Sequence, residues 1–351
     1  MNEFTLSKYL DVTLFTLECK EMKPLSLFIA SSIFVLNFLS AQSFNETYFL
    51  SDAKVYTSLQ EALREPNKVV HLELKNQQLK QIPKRILSFR NLRVLDLSNN
   101  QISKIDEENF YGLQKLEGVL LANNLLRTPP IEALKKCSEL RYLDLGNNRI
   151  QSIEELDRLK YLEVLKLNDN QIKTIPSNLQ LKYLRYFRID GNQLKQLPSF
   201  LRYSKKLNYL NLYGNQVNTL SLEMITRSNL QSLNIGNNPI KTISTIQQLT
   251  QLETLILDWI PLEESDVQAI SSLSELQILS MEHCDLKALP SSFGQLQRLR
   301  EVSLIANQLE TLPESLSQLQ SLEKLWLKGN SLPPSNLQSV RAYLPNCQIL
   351  H

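Results

Sequence analysis

Leu140-Arg141-Tyr142-Leu143-Asp144-Leu145-Gly146-Asn147-Asn148-Arg149-Ile150 is followed by Leu162-Glu163-Val164-Leu165-Lys166-Leu167-Asn168-Asp169-Asn170-Gln171-Ile172. Both stretches read L-x-x-L-x-L-x-x-N-x-I. Their middle alternates with a period of two, which is the pattern of a short strand with one face inward. Three residues per unit on that face are too few to make a core alone. The leucines are buried only if units stack.

The unit recurs from Val69 onward. Further copies start at Leu92, Leu116, Leu184, Leu207, Leu230, Leu252, Leu276, Leu299 and Leu322, and a partial copy is Leu344-Cys347-Ile349. Nine units keep the asparagine: Asn100, Asn124, Asn148, Asn170, Asn192, Asn215, Asn238, Asn307 and Asn330. Its amide can satisfy backbone groups where the chain leaves the strand. Gln77, Ile260 and Cys284 replace it elsewhere, and Ile260 cannot hydrogen-bond through its side chain. Six units place a proline after the second apolar anchor: Pro83, Pro130, Pro176, Pro198, Pro290 and Pro313.

This pattern resembles the leucine-rich repeat over residues 69–350, in the short L-P form seen in bacterial repeats and in cytoplasmic signalling scaffolds, and the chain is read as similar to secreted bacterial members. The resemblance implies an α/β solenoid: a right-handed horseshoe whose parallel concave sheet has about 12–13 strands. Units this short leave room for one or two helical turns, 3₁₀ or extended segments on the convex side. Leu87, Phe110, Leu134, Ile225 and Ile270 are the expected inward anchors there.

The ends need caps. Ser58 and Glu61 fit a capping box for a helix over 57–64, with Leu59, Ala62 and Leu63 on one face and Pro66 as its stop. Residues 335–344 read as a helix at the other end. The expected organisation is a non-native upstream extension at 1–21 with Met22 as the true start, a signal peptide at 22–41, a cap at 42–68, repeats at 69–332 and a C-terminal cap at 333–351. Residues 24–45 carry no charge, Lys23 precedes them and Ala41 suits a cleavage site. An uncleaved anchor is the competing reading of that run, and a cytoplasmic tail the competing reading of 1–21. The absence of cysteine-rich caps points to a bacterial exported protein.

Composition narrows the function. The 351 residues carry a formal net charge of +2, too near neutrality for a nucleic-acid-coating protein. Eight glycines, four cysteines and three histidines leave little for phosphate loops, disulfide frameworks or histidine metal sites. Cys137, Cys284 and Cys347 read as buried thiols. His71 and His283 fall on distant units. No catalytic motif of the hydrolase, zincin or nucleotide-binding kinds occurs, so no enzyme, cofactor or metal is expected.

A partner is expected on the concave face, at the third, fifth, seventh and eighth residues of each unit. A central patch gathers Tyr142, Lys166, Tyr186, Arg188, Asp190, Tyr209 and Tyr213, the aromatic and cationic types favoured in binding hot spots. The competing account is a cross-strand aromatic ladder that only stabilises the sheet. On the binding account, alanine at Tyr186, Arg188 and Tyr209 removes binding and leaves stability nearly unchanged. A second patch surrounds the missing asparagine: Ile256, Asp258, Trp259, Ile278, Glu282 and His283. Ile305 and Trp326 extend it as an apolar strip. The resulting function is a secreted or periplasmic module that binds a protein ligand. The alternatives are an intracellular signalling scaffold and a glycan-binding surface protein.

Overall fold

The structure, a computed structural model, describes residues 53–351. The expected extension at 1–21, the signal peptide at 22–41 and the start of the first cap therefore lie outside the described residues. Among the described residues, fourteen strands form a single parallel sheet in strict chain order, β1 to β14. Each of the twelve repeats gives one three-residue strand, from β2 (His71–Glu73) to β13 (Lys324–Trp326). The partial unit gives β14 (Gln348–Leu350). The strand missed by the repeat pattern is β1 (Val55–Tyr56), which pairs with His71 and Leu72 through backbone alone. Tyr56 is buried, so this strand covers the end of the leucine stack without a leucine motif.

The core is the ladder itself. Leu92, Leu95 and Leu97 are fully buried, as are Leu162, Leu165 and Leu167 and their counterparts along the chain. Helix α1 (Leu59–Ala62) caps one end, with the Ser58 hydroxyl accepting from the Glu61 N–H. Pro66 opens a short 3₁₀ turn, Pro66–Lys68. Helix α4 (Pro334–Tyr343) packs Leu337 and Val340 on the other end.

The asparagines knit adjacent units. Asn124 donates through its amide to the carbonyls of Leu97 (3.0 Å) and Leu121 (3.1 Å) and accepts from Ile102 N–H (2.9 Å). Asn148, Asn170 and Asn192 repeat this pattern one unit on each time. Each amide therefore ties its own turn to the preceding one, where the backbone has no strand partner. Where Cys284 stands, its thiol donates weakly to the carbonyls of Leu257 and Glu282. Where Ile260 stands, helix α3 (Glu264–Ile270) helps to tie the turns together. Its Asp266 carboxylate accepts from Ile243 N–H (2.9 Å), Thr242 Oγ1 and Glu263 N–H.

The residue before the asparagine has a rule of its own. In all twelve units the eighth residue is left-handed: Asn76, Asn99, Asn123, Asn147, Asp169, Gly191, Gly214, Asn237, Trp259, His283, Ala306 and Gly329. Its N–H still reaches the next unit, as in Asn99 to the Ala122 carbonyl (2.9 Å) and Trp259 to the Glu282 carbonyl (2.8 Å). The positive φ turns the chain inward so that the ninth residue points at the core. Glycine, asparagine and aspartate tolerate this conformation, and they fill nine of the twelve positions.

The convex side is mostly 3₁₀, with short α-helices at α2 (Ile131–Leu134) and α3. Five-residue 3₁₀ helices follow Pro83, Pro198, Pro290 and Pro313, whose φ of −62° to −71° suits a helix start that needs no proline N–H. Phe110, Leu134, Ile225 and Ile270 are buried anchors. In the first unit Ile86 is the buried anchor and Leu87 is only partly covered, because the tighter 3₁₀ turn rotates the preceding residue inward. Cys137 and Cys284 are buried free thiols, and Cys347 is half-exposed beside the last strand rather than buried.

Candidate recognition surface

Parallel pairing fixes which outward side chains are neighbours. Tyr186 lies opposite Tyr209, and Lys166 lies opposite both Asp144 and Arg188. The two tyrosine rings stack with centroids 4.0 Å apart and planes 5° from parallel. Tyr142 stands two strands from Tyr186, with Val164 between them. Its ring instead lies 5.0 Å from the Lys166 ammonium.

The cations of this central patch already have anionic partners. Arg188 grips Asp190 through two hydrogen bonds, at 2.7 and 3.0 Å, and Lys166 is 3.5 Å from Asp144. Tyr142, Tyr186 and Tyr209 are buried, Tyr213 is half-buried and Asp190 is buried. Burial raises the tyrosine hydroxyls of Tyr186, Tyr209 and Tyr213 above their ordinary range, with Asp258 and Glu282 adding to the effect at Tyr213. The expectation that alanine at Tyr186, Arg188 and Tyr209 would leave stability unchanged therefore does not hold. Tyr186 stacks on Tyr209 across the sheet and Arg188 pairs with Asp190 in its own unit, so their truncation leaves holes and an unpaired carboxylate.

The second patch is built differently. Ile256, Asp258 and Glu282 are buried, and Ile278 is half-buried. Ser280 donates to Asp258 (2.6 Å), the Glu282 N–H donates to the same oxygen (2.9 Å), and Ser303 donates to Glu282 (2.6 Å). Burial pushes both carboxyls up, and Asp258 pushes Glu282 up further. Ser280 and Ser303 hold these acids in place, and their role is invisible in sequence because each lies one repeat from the acid it serves.

Beside the acids, Trp259 stacks on His283 with ring centroids 3.8 Å apart and planes 10° from parallel. Both rings are carried by left-handed backbone, with φ of 65° and 54°. Trp259 remains 44% exposed. A bulky residue in this conformation costs about 1–2 kcal/mol relative to one that tolerates it. Ala306, one unit on, is also left-handed at 54°. Three consecutive units thus depart from the asparagine–glycine rule, and two of them use the position to present an aromatic ring. The signal in the sequence is the failure of the doublet Asn-Asn at Trp259-Ile260 and His283-Cys284.

Family models for leucine rich repeats match residues 67–126 and, as two copies, residues 138–181. The fold is that of a leucine-rich-repeat solenoid. Human geranylgeranyl transferase type-2 subunit alpha is 34% identical over 96 residues, 27% of this chain and only 17% of the relative's length. An internalin from Listeria monocytogenes superposes with a TM-score of 0.68 at 23% identity, over 82% of this chain and 81% of the internalin. The repeat domain of FLRT2, solved in an octameric complex with Latrophilin 3 and Unc5D, superposes with a TM-score of 0.60 at 22% identity, covering 78% and 87% of the two chains. At such identities the structural likeness concerns the fold alone. Solenoids of this kind commonly serve protein recognition, on the extended surface their stacked units create. Among the described residues no helix is long and apolar enough to cross a membrane, and no cluster of three metal-ligating side chains occurs.

Proposed function

We propose that the protein is a non-enzymatic recognition module that binds a protein ligand through the concave face of its repeat sheet. The observation that carries this reading is the Trp259–His283 stack. An exposed tryptophan ring on strained backbone costs stability, and such strain concentrates where a surface serves binding. The adjoining Asp258 and Glu282 are buried and held by Ser280 and Ser303, so they brace the strands that carry the two rings. The tyrosine stack and the Arg188–Asp190 pair extend the same face toward the N-terminal units as a rigid, preorganised wall.

The uncharged run at 24–45 supports export through a signal peptide at 22–41, and with it a secreted or periplasmic site of action. We read the protein as bacterial because its caps are not cysteine-rich. The test is affinity capture from culture supernatant with the exported chain. Wild type is expected to retain a partner that Trp259→Asn and His283→Asn both release while remaining folded. Equal capture by all three would remove the second patch from the binding surface. Finding the chain only in the cytoplasm on fractionation would refute export.

A further inference from the structure

A separate surface lies on the edge where the chain enters each strand. Before most strands a two-residue turn is closed by an N–H to carbonyl bond, as in Leu162 to Leu159 (3.3 Å), Leu184 to Leu181 (3.3 Å) and Leu207 to Ser204 (3.0 Å). The flanking residues are buried, so the two central residues form an exposed tip. At three consecutive units these tips are Lys160-Tyr161, Lys182-Tyr183 and Lys205-Lys206, all exposed. Elsewhere a tip carries at most one charge and no aromatic ring, as in Ser138-Glu139 or Thr250-Gln251.

The tips form one row. Tyr161 and Tyr183 have ring centroids 5.6 Å apart, and the Lys206 ammonium lies 4.8 Å from the Tyr183 ring. Glu163, two residues past the Tyr161 tip, is engaged by Arg141 (2.7 Å) and Arg185 (3.3 Å), and the row is bounded on its N-terminal side by the exposed Glu139, at the tip one unit before Tyr161. Arg202 and Tyr203 add a further exposed cation and ring at the end of the row. Ser204 donates to the Leu181 carbonyl (2.9 Å) and fixes one turn against the next.

We propose that this edge binds an acidic polysaccharide. The row offers a ring face and a cation at successive tips, spaced by the stacking of strands at roughly 5 Å. A linear chain of sugar rings bearing carboxylate or sulfate groups presents the complementary elements: apolar ring faces for the tyrosines and anions for the lysines. Lysine suits this use, being a hydrated point charge that needs no bidentate partner. An acidic peptide is a poorer fit, because each tip is a tight turn and the row offers no strand edge to extend.

The test measures binding of the full chain to a heparin oligosaccharide, a sulfated uronic-acid polymer, at moderate salt. Wild type is expected to bind. Tyr161→Ala with Tyr183→Ala is expected to weaken binding by about tenfold or more at unchanged charge, and Lys182→Glu at least as much. Both sites are exposed turn tips, so melting curves should match wild type. Undiminished binding by the tyrosine variant would reduce the row to ion exchange and overturn the proposal. Equal affinity for polyglutamate, or displacement by anionic lipid vesicles but not by free heparin, would overturn it in favour of an acidic protein or a membrane surface.

Discussion

Replacing Trp259 by asparagine should leave the fold nearly as stable as before and disable the surface we assign to the ligand. The eighth residue of each unit must be left-handed, and Trp259 has a φ of 65°. Its return to asparagine relieves about 1–2 kcal/mol of backbone strain. The same change removes the stack on His283, with ring centroids 3.8 Å apart, worth roughly 0.5–1.5 kcal/mol. The two terms nearly offset each other, so Trp259→Asn alone should alter stability by less than about 1 kcal/mol. Trp259→Asn with His283→Asn relieves strain twice while losing the one stack. It should gain about 1–2 kcal/mol, a rise in midpoint temperature of about 2–4 °C for a chain of this size. Ala306→Gly supplies the clean control, because the φ of 54° is unfavourable and only a methyl group is lost. It should gain a few tenths to about 1 kcal/mol. Asn99→Ala, at a φ of 57° and with its side chain exposed, should lose about 1 kcal/mol. Guanidinium unfolding followed by far-UV circular dichroism reads all four variants without needing the tryptophan. The reasoning fails if the double variant is less stable than wild type by as much as a core truncation. It also fails if Ala306→Gly and Asn99→Ala move stability in the same direction.

Asn170→Leu should cost about 2–4 kcal/mol, read by the same unfolding assay, because Leu145 and Leu167 carbonyls and Ile150 N–H lose their partner in a buried turn. Tyr186→Ala should cost about 2–4 kcal/mol through the lost stack on Tyr209 and the cavity it leaves, whereas Tyr186→Phe, which keeps the stack, should stay within about 1 kcal/mol of wild type. The acids of the second patch should make stability depend on pH. Their folded pKa values are raised, so the folded state holds protons that the unfolded state releases. Stability is therefore greatest below the ordinary carboxyl range and falls as pH rises through the raised values. Asp258→Asn with Glu282→Gln keeps acceptor oxygens for Ser280 and Ser303, and should flatten unfolding midpoints measured between acid and neutral pH.

What the sequence revealed and what it hid divide along a physical line. The leucine ladder was legible because each inward position must be apolar in every unit, so the pattern repeats itself a dozen times. Strand β1 was hidden because its pairing with His71 and Leu72 uses backbone groups, which any residue carries. The concave patch was legible as a set of neighbours, since register alone places Tyr186 against Tyr209. Its energetics were not legible. The pairing of Arg188 with Asp190 and of Lys166 with Asp144 depends on rotamers chosen in three dimensions, and it turns apparently free cations into satisfied ones. The left-handed row was written in the sequence all along, as Asn-Asn, Asp-Asn and Gly-Asn doublets, and only the backbone angles explain them. Once that rule is in hand, Trp259 and His283 change meaning. A weak repeat that had merely drifted would be expected to fill the eighth position with small or polar residues, which relieve the strain. Two aromatic rings in adjacent units, stacked and with the tryptophan exposed, keep the strain in place. Asparagine at both positions would serve the fold better, and that is why we read the retained pair, under the proposed function, as built for a contact outside the chain.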